Sequence, residues 1–435
     1  MIRPLTCRFK FAFLLLIFTC LSLNNKLLKL IKEACVLTIP EGGITLIPFL
    51  KMWLIIPFSI ILIALFRSLN KRYTLYSVFQ IILCTFLALY LIFLMLLPYR
   101  EAMPIVWADG ILPDPFILML HNWPSSLFYV VGDMWSTLLI SILFWNLAAL
   151  NFKLDEAKNF YPLFSLDISG ILAGVVGLTF AHSLETILVA VIAVNIIIMA
   201  LLYKFHKTQP IVQAETSPNN EIAKPISRNA VAFFLGIIIF SYEFSDSFLD
   251  LMWKWKVSEL YPHAEKYSYY MSQIALIMGV LGTLICIFVA RPLARRVKWQ
   301  TLALITPSLV LVCAGLFFMS LYLDLPTETI LIFGLIMSVS LQIGKYTFFD
   351  NSKELALVVQ TENDRSHAKE FADGLMTRVG KSSASFMQQA MFIFLLNVET
   401  LFPFYAAIFV FFAIVLWIYA TLSLNPHIEE KYAVT

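Results

Sequence analysis

The groups in this chain best placed to do chemistry are lysines and carboxylates set in apolar sequence. Lys51 stands in Ile47-Pro-Phe-Leu-Lys51-Met-Trp53. Asp133 stands in Leu127-Phe-Tyr-Val-Val-Gly132-Asp133-Met-Trp135, far from any other charge. Glu243, Asp246 and Asp250 are spaced i, i+3 and i+7, which stacks them on one helical face. Lys345 begins Lys345-Tyr-Thr-Phe-Phe-Asp350-Asn-Ser-Lys353-Glu354. An ionisable group in hydrocarbon costs about 2.5–3.5 kcal/mol on insertion scales, so it needs a partner, water or a role. The basic positions suit an anionic substrate. The acids suit ion coupling or structural pairing, and three in line suggest a hydrated cavity wall. Simpler readings stay open beside these. Lys51 is either a lysine snorkelling to the interface or a cation lining a cavity. Asp250 either serves a cavity or marks a helix end beside Trp253 and Lys254, and Lys345 either serves a site or ends a span.

Soluble-enzyme chemistry finds no support. Gly380-Lys381-Ser382 resembles the end of a phosphate-binding loop, but the spacing requires Gly at Leu375 and no strand precedes it. The six His show no HExxH or other metal-ligand spacing, and there is no GxSxG. The six Cys are scattered without CxxC and read as packing residues rather than disulfides. No catalytic residue, metal or cofactor is expected. The segment 361–383 reads as an amphipathic cytoplasmic linker or surface helix.

These charges must be positioned by membrane helices. Of the 435 residues, 60% are apolar and 14% charged, against about 45–50% and 25% in soluble domains. The mean hydropathy is +0.83. The net charge of +3 is too small and too evenly spread to suggest nucleic acid. Apolar stretches near the roughly 20 residues that cross a bilayer recur along the chain. They predict twelve spans, at 11–30, 45–66, 75–97, 124–150, 162–182, 184–203, 229–252, 269–290, 300–323, 327–347, 383–398 and 402–424. The first lacks a small-residue cleavage site and is read as a retained helix. With the N-terminus inside, 22 of the 31 Lys and Arg fall on the cytoplasmic side, seven on the opposite face and two inside spans. That bias predicts both termini in the cytoplasm.

The polar stretch 205–228 bisects the chain and reads as a linker between six-span halves at 1–204 and 229–435. A basic turn of pattern R-x-L-x-K/R-R follows the second span of each half, at Arg67–Arg72 and Arg291–Arg296. Two such halves are the layout of a major-facilitator-like fold, all-α and polytopic, with substrate bound near the midplane.

Motifs along most of the chain, in order, resemble the non-mitochondrial ATP/ADP translocases of plastids and obligate intracellular bacteria. Ile47–Trp53 resembles their IPFLK-x-W, and Leu127–Ser136 their LFYVMAELWGS. Asp155-Glu-Ala-Lys158-Asn-Phe-Tyr-Pro-Leu-Phe164 resembles DEAK-x-FYPLF. Leu249–Lys254, Glu259–Pro262 and Tyr267-Ser268 are similar to VEVTWK, ELYP and YS, and Ala303–Pro307 to ALITP. Lys345–Glu354 resembles KYSLFD-x-x-KE, and Gly380-Lys-Ser with Gln388-Gln389 resembles GKSGG and QQ. Both glutamates of the family pattern are aspartates here, Asp133 and Asp250. Asp167 stands where the pattern is uncharged, and the GKSGG becomes Gly380-Lys-Ser-Ser-Ala384.

The resemblance implies a carrier in a bacterial inner membrane that exchanges ATP for ADP, or imports nucleotides or NAD with protons. A relative that has lost transport and acts as a receptor is a third reading. The implied substrate-binding positions are Lys51, Lys32, Asp133, Asp250, Lys345 and Lys353, with Glu243, Asp246 and Asp250 as coupling candidates. Lysines would hold the polyphosphate as point charges. The expected partners are the nucleotide and the lipid bilayer, with the carrier a monomer.

Overall fold

The computed structural model describes residues 7–40, 42–105, 114–151, 164, 168–180, 182–208, 230–290, 293, 297–358, 368–395 and 397–434. All regular structure among them is helical. The helices are α1 (Cys7–Leu37), α2 (Gly43–Asn70), α3 (Leu75–Tyr99), a short α4 (Asp114–His121), α5 (Trp123–Ala148), α6 (Ile168–Phe180) and α7 (Leu184–Thr208). There follow α8 (Ala230–Leu260), α9 (Ala264–Val289), α10 (Trp299–Tyr322), α11 (Thr327–Leu357), α12 (Thr377–Phe394) and α13 (Val398–Val434).

Ten of the described helices are long and apolar enough to cross a membrane, all but α4, α6 and α12. The thirteen residues of α6 rise about 20 Å at 1.5 Å each, short of the roughly 30 Å hydrocarbon core. In α12 the obstacle is composition, since Arg378, Lys381, Gln388 and Gln389 make one face polar. The outward surfaces are apolar, with Met95, Phe288, Tyr322, Phe394 and Phe412 among the most exposed side chains. Lipid rather than water suits such faces.

Several boundaries differ from the hydropathy reading. Helix α1 runs to Leu37, so Lys26, Lys29 and Lys32 are helical rather than beyond a span ending at 30. The sequence Leu27-Leu-Lys-Leu-Ile-Lys-Glu-Ala34 consists of strong helix formers, and the first breaker is Pro40. For the same reason α8 continues past 252 to Leu260 and carries Lys254 and Lys256 with it. Lys345 does not end its span, because α11 continues through it to Leu357. The eleventh span, expected at 383–398, is a helix over Thr377–Phe394, with Leu395 extended. Hydropathy windows place edges at charges, whereas helices end at backbone breakers, and here the two differ by a turn or more. Of the expected span 162–182, the described helix begins at Ile168. Residues 205–208 of the expected 205–228 linker are the last turn of α7, and the Asp155–Leu163 motif, Asp167 and residues 209–228 lie outside the described residues.

Contacts divide the chain into two compact units. One holds Met1–Ser217 and Tyr261–Val280, and the other holds Pro218–Leu260 and Leu281–Thr435. Most of α9 therefore groups with the N-terminal helices. Small residues of α6 (Ser169, Gly170, Ala173, Gly174, Gly177) form its buried face and let α9 approach closely at Ser272, Leu276 and Gly279. In the first unit α1 is central, packing against α5, α6 and α7. In the second the centre is α8, packed by α11, α12 and α13. Burial agrees for the second unit, where 72% of the most apolar stretch of α8 is buried; in the first, α5 is the most buried long helix at 56%, against 39% for α1 and 17% for α2. The four described free cysteines, Cys20, Cys35, Cys84 and Cys313, form no disulfide.

Candidate functional site

In the first unit, the α1–α5 contact carries a buried ion pair. The Nζ of Lys32 donates to Oδ1 of Asp133 at 2.5 Å. Lys32 is buried and Asp133 is about one-third exposed, so the carboxylate edge stays open to an approaching group. The ammonium also lies over the ring of Tyr129, 4.7 Å from its centroid. Helix propensity delivers Lys32 here, by extending α1. Gly132 makes the approach possible, since a Cβ there would lie 3.2 Å from Cδ of Lys32. One turn along, the indole N–H of Trp135 donates to the Leu21 carbonyl at 3.1 Å and fixes the register of the two helices. Glu33, also buried, lies 4.0 Å from Lys29.

Lys51 occupies a π-helical turn, Leu50–Ile55, just after Pro48 in α2. It is partly exposed. Lys345 begins a second π-helical turn, Lys345–Phe349, in α11. Such turns widen the helix and are frequent at functional sites. The hydroxyl of Thr306 donates to the Gly344 carbonyl at 3.1 Å, satisfying an acceptor at the edge of that irregular turn.

In the second unit, Glu243 of α8 lies between two lysines. Its Oε1 is 3.6 Å from Nζ of Lys345 on α11, and its Oε2 is 3.5 Å from Nζ of Lys381 on α12. Lys345 also sits over the Tyr242 ring at 4.8 Å. Along residues 241–254 of α8, all side chains are buried except those of Asp246 and Asp250. Of the stripe of acids read from the sequence, Glu243 is therefore enclosed, and Asp246 and Asp250 are partly exposed in an otherwise buried stretch. Asp246 feels Lys345 and Lys381 as well as its two acidic neighbours. Asp250 accepts from Lys254 at 2.5 Å, one turn along the same helix.

Toward the other end of α11, Lys353 donates to Asp373 at 2.8 Å and lies 3.5 Å from Asp350. Lys369 pairs with Glu354 at 2.7 Å. These contacts bind α11 to the segment before α12. Neighbouring Trp299 donates from its indole N–H to the Ser352 carbonyl at 2.8 Å.

Of the positions singled out from sequence, the fold thus joins Lys32 to Asp133, and Glu243 to Lys345. It gives Asp250 and Lys353 partners of their own, and packs the turn that carries Lys51 against α5, the helix of Asp133. Two residues were missed. Lys381 was read as part of a solvated segment, yet α12 packs on α8 and brings it to Glu243. Gly380 permits this, for a Cβ there would lie 2.9 Å from the Phe240 carbonyl and 3.0 Å from Cβ of Glu243. Gln388 strengthens the same contact by donating to the Ser247 carbonyl at 3.0 Å. The signal was present in Gly380-Lys381 and Gln388-Gln389, which repeat small and polar residues on one helical face. Lys254 was counted to the face opposite the cytoplasm, but it is buried and paired.

Each unit therefore sets ammonium beside carboxylate groups, most of them in helices long and apolar enough to cross a membrane. A charge pair joins α1 to α5 in the first unit, with the base on α1, and another joins α8 to α11 in the second, with the acid on α8. Among the described residues no cluster of His, Cys, Asp and Glu could hold a metal ion. Within each unit, the charge of these lysines is already partly compensated by a neighbouring carboxylate.

Comparison with solved structures matches this architecture to known transporters. A bacterial homologue of the iron transporter ferroportin, in its inward-facing state, superposes with a TM-score of 0.62 at 14% identity, covering 96% of this chain and 100% of that one. A D-xylose–proton symporter gives 0.64 at 13% identity, covering 96% and 97%. These likenesses establish the major-facilitator-like fold. Among sequence relatives, ADP,ATP carrier protein 1 of Chlamydia muridarum is 25% identical, covering 94% of this chain and 87% of the relative. ADP,ATP carrier protein 2 of Chlamydia pneumoniae is 29% identical over 88% and 82%. ADP,ATP carrier protein 1 of Rickettsia typhi is 26% identical over 97% and 93%. Residues 6–428 match one family throughout, and the chain belongs to the TLC ATP/ADP transporter family.

Proposed function

We propose that this protein is a secondary transporter that exchanges ATP for ADP across a bacterial inner membrane by alternating access. The observation that carries the reading is the match to ATP/ADP transporters over residues 6–428, in a chain whose membrane helices hold several lysines. Lys32, Lys51, Lys345 and Lys353 are assigned to the polyphosphate, which lysines bind as point charges. Asp133 and Asp250 are assigned to partial neutralisation of that charge, holding the site ready without fixing the anion in place. The assignment rests on the pairing of Lys32 with Asp133 and on the partial exposure of Asp246 and Asp250. Twelve spans, with Ile168–Phe180 and Thr377–Phe394 as the two beyond the ten, give six-helix halves at 1–204 and 229–435 around the 205–228 linker. Both termini are assigned to the cytoplasm and the working unit to a monomer.

The acids of α8 favour one second reading, proton-coupled import of another nucleotide or NAD, with Glu243, Asp246 and Asp250 in the coupling role. Purified protein in liposomes separates the two. Uptake of labelled ATP confined to ADP-loaded vesicles, at fixed pH and membrane potential, is the result expected for exchange. Uptake into empty vesicles that follows an inward proton gradient would replace exchange with symport. Absence of any nucleotide or NAD uptake would overturn both.

A further inference from the structure

Among the described residues, Lys32, Lys254 and Lys353 each have one carboxylate in direct contact. Lys32–Asp133 and Lys254–Asp250 stand at 2.5 Å and Lys353–Asp373 at 2.8 Å, each a direct hydrogen bond. Glu243 is different. It is buried, and it faces two ammonium groups at 3.5 and 3.6 Å, outside close charge-assisted contact. Among the described residues its Oε2 has no hydrogen-bond partner, although a carboxylate oxygen so placed can accept two. Meanwhile both lysines keep exposed surface, 27% for Lys345 and 56% for Lys381. The carboxylate is enclosed and the cations are reachable.

We propose that Glu243 is a built-in counter-anion to Lys345 and Lys381, which an incoming phosphate group displaces and which reclaims both lysines when the phosphate departs. The proposal rests on the nucleotide reading above and adds the residue that sets how strongly the site holds its anion. Glu243 alone offsets one of the two lysine charges, and Asp246 and Asp350 reduce the remainder. An anion must then outcompete an internal carboxylate that is always present. A monoanion gains little by that exchange, whereas a di- or triphosphate brings more charge than Glu243 supplies. Displacement therefore favours polyphosphates, and the returning carboxylate speeds release, which every turnover of an exchanger requires. Uniformly tight binding would slow the cycle. Asp246, one turn further along α8 and within the field of both lysines, adds to the same restraint.

The test uses the full-length protein in nanodiscs, with ATP, ADP, AMP and inorganic pyrophosphate as probes and binding measured by titration calorimetry. Glu243→Gln keeps the shape and removes the charge. It is expected to tighten pyrophosphate and ATP by about tenfold or more, a change of about 1.4 kcal/mol per decade. It is also expected to reduce the preference for ATP over AMP and to lower the exchange rate in liposomes. Adding Lys381→Ala to Glu243→Gln should return affinity toward that of the unaltered protein. Glu243→Asp, which withdraws the charge by one methylene, should tighten binding by a smaller factor, and it carries the test if the Gln variant does not fold. Unchanged or weaker affinity in a folded Glu243→Gln variant would overturn the proposal, as would tightening that persists without Lys381. If the unaltered protein binds none of the nucleotides while Glu243→Gln gains pyrophosphate, the nucleotide reading fails and the counter-anion role stands. If no variant binds any probe, both fail.

Discussion

At the scale of single residues, the buried charges are the costly feature of this chain, and pairing makes them tolerable. Removing one member of a buried ion pair is worse than removing both, because the survivor keeps its desolvation cost. Lys32→Met alone should therefore destabilise the protein more than Lys32→Met combined with Asp133→Leu. The coupling expected in a double-mutant cycle is about 0.5–3 kcal/mol, read from unfolding in detergent. Both variants should lose ATP exchange, so stability and transport separate in the double variant. Equal destabilisation by the single and double changes would show that the pair contributes nothing to the fold. Lys51→Ala belongs to another class. That lysine is partly exposed on the most open of the long helices, so the change should leave the melting temperature within about 1–2 °C, since surface substitutions stay within about ±0.5 kcal/mol. The exchange rate should fall by about tenfold or more, the size of one lost charge-assisted contact. An unaltered exchange rate would return Lys51 to the snorkelling reading.

At the scale of elements, the contact of α8 with α12 is the informative one. It depends on a glycine, a glutamine donating to a backbone carbonyl, and a lysine that reaches the central acid. Helix association in lipid relies on such small-residue packing and interhelical hydrogen bonds. Gly380→Val places methyl groups where the Phe240 carbonyl and Glu243 already stand, forcing the helices apart and lengthening the Lys381–Glu243 separation. We expect a loss of about 1–3 kcal/mol, the usual cost of overpacking, with a larger fractional loss of transport than Gln388→Ala produces. Losing the Gln388 bond should cost about 0.6 kcal/mol, typical of interhelical hydrogen bonds in membranes. Thermal unfolding and exchange assays on the same preparations compare the two. This contact was not legible in hydropathy, because α12 is too polar to register as a strong span and its basic residue looked cytoplasmic.

At the scale of the whole molecule, two predictions follow from charge. ATP carries one more negative charge than ADP, so one-for-one exchange moves net charge. In ADP-loaded liposomes, a membrane potential positive on the destination side should accelerate ATP uptake and the reverse potential should slow it. An exchange rate insensitive to potential would show that a compensating ion moves with the nucleotide. The bias of Lys and Arg predicts a cytoplasmic 205–228 linker. In a cysteine-free background, Ser217→Cys should be labelled by an impermeant maleimide only when the cytoplasmic face is accessible. Labelling of intact cells from outside would invert the topology. Two of the seven basic residues counted against that bias, Lys32 and Lys254, are buried in ion pairs. Their removal from the count leaves the predicted orientation unchanged and strengthens the ratio.

Composition and hydropathy were enough to establish a helical membrane protein, and the ordered motifs pointed to the ATP/ADP transporters. Hydropathy and composition are sums over residues and need no knowledge of neighbours. The stacking of Glu243, Asp246 and Asp250 was also legible, since helical periodicity alone places them on one face. Which charge meets which could not be read, because partners such as Lys32 and Asp133 lie 101 residues apart. Only packing brought Asp133 to α1 and Lys381 to α8, through the close approaches at Gly132 and Gly380. The tertiary structure likewise decided which acid is enclosed and which cations remain reachable, and burial at a helix contact is a property of three helices at once rather than of any one.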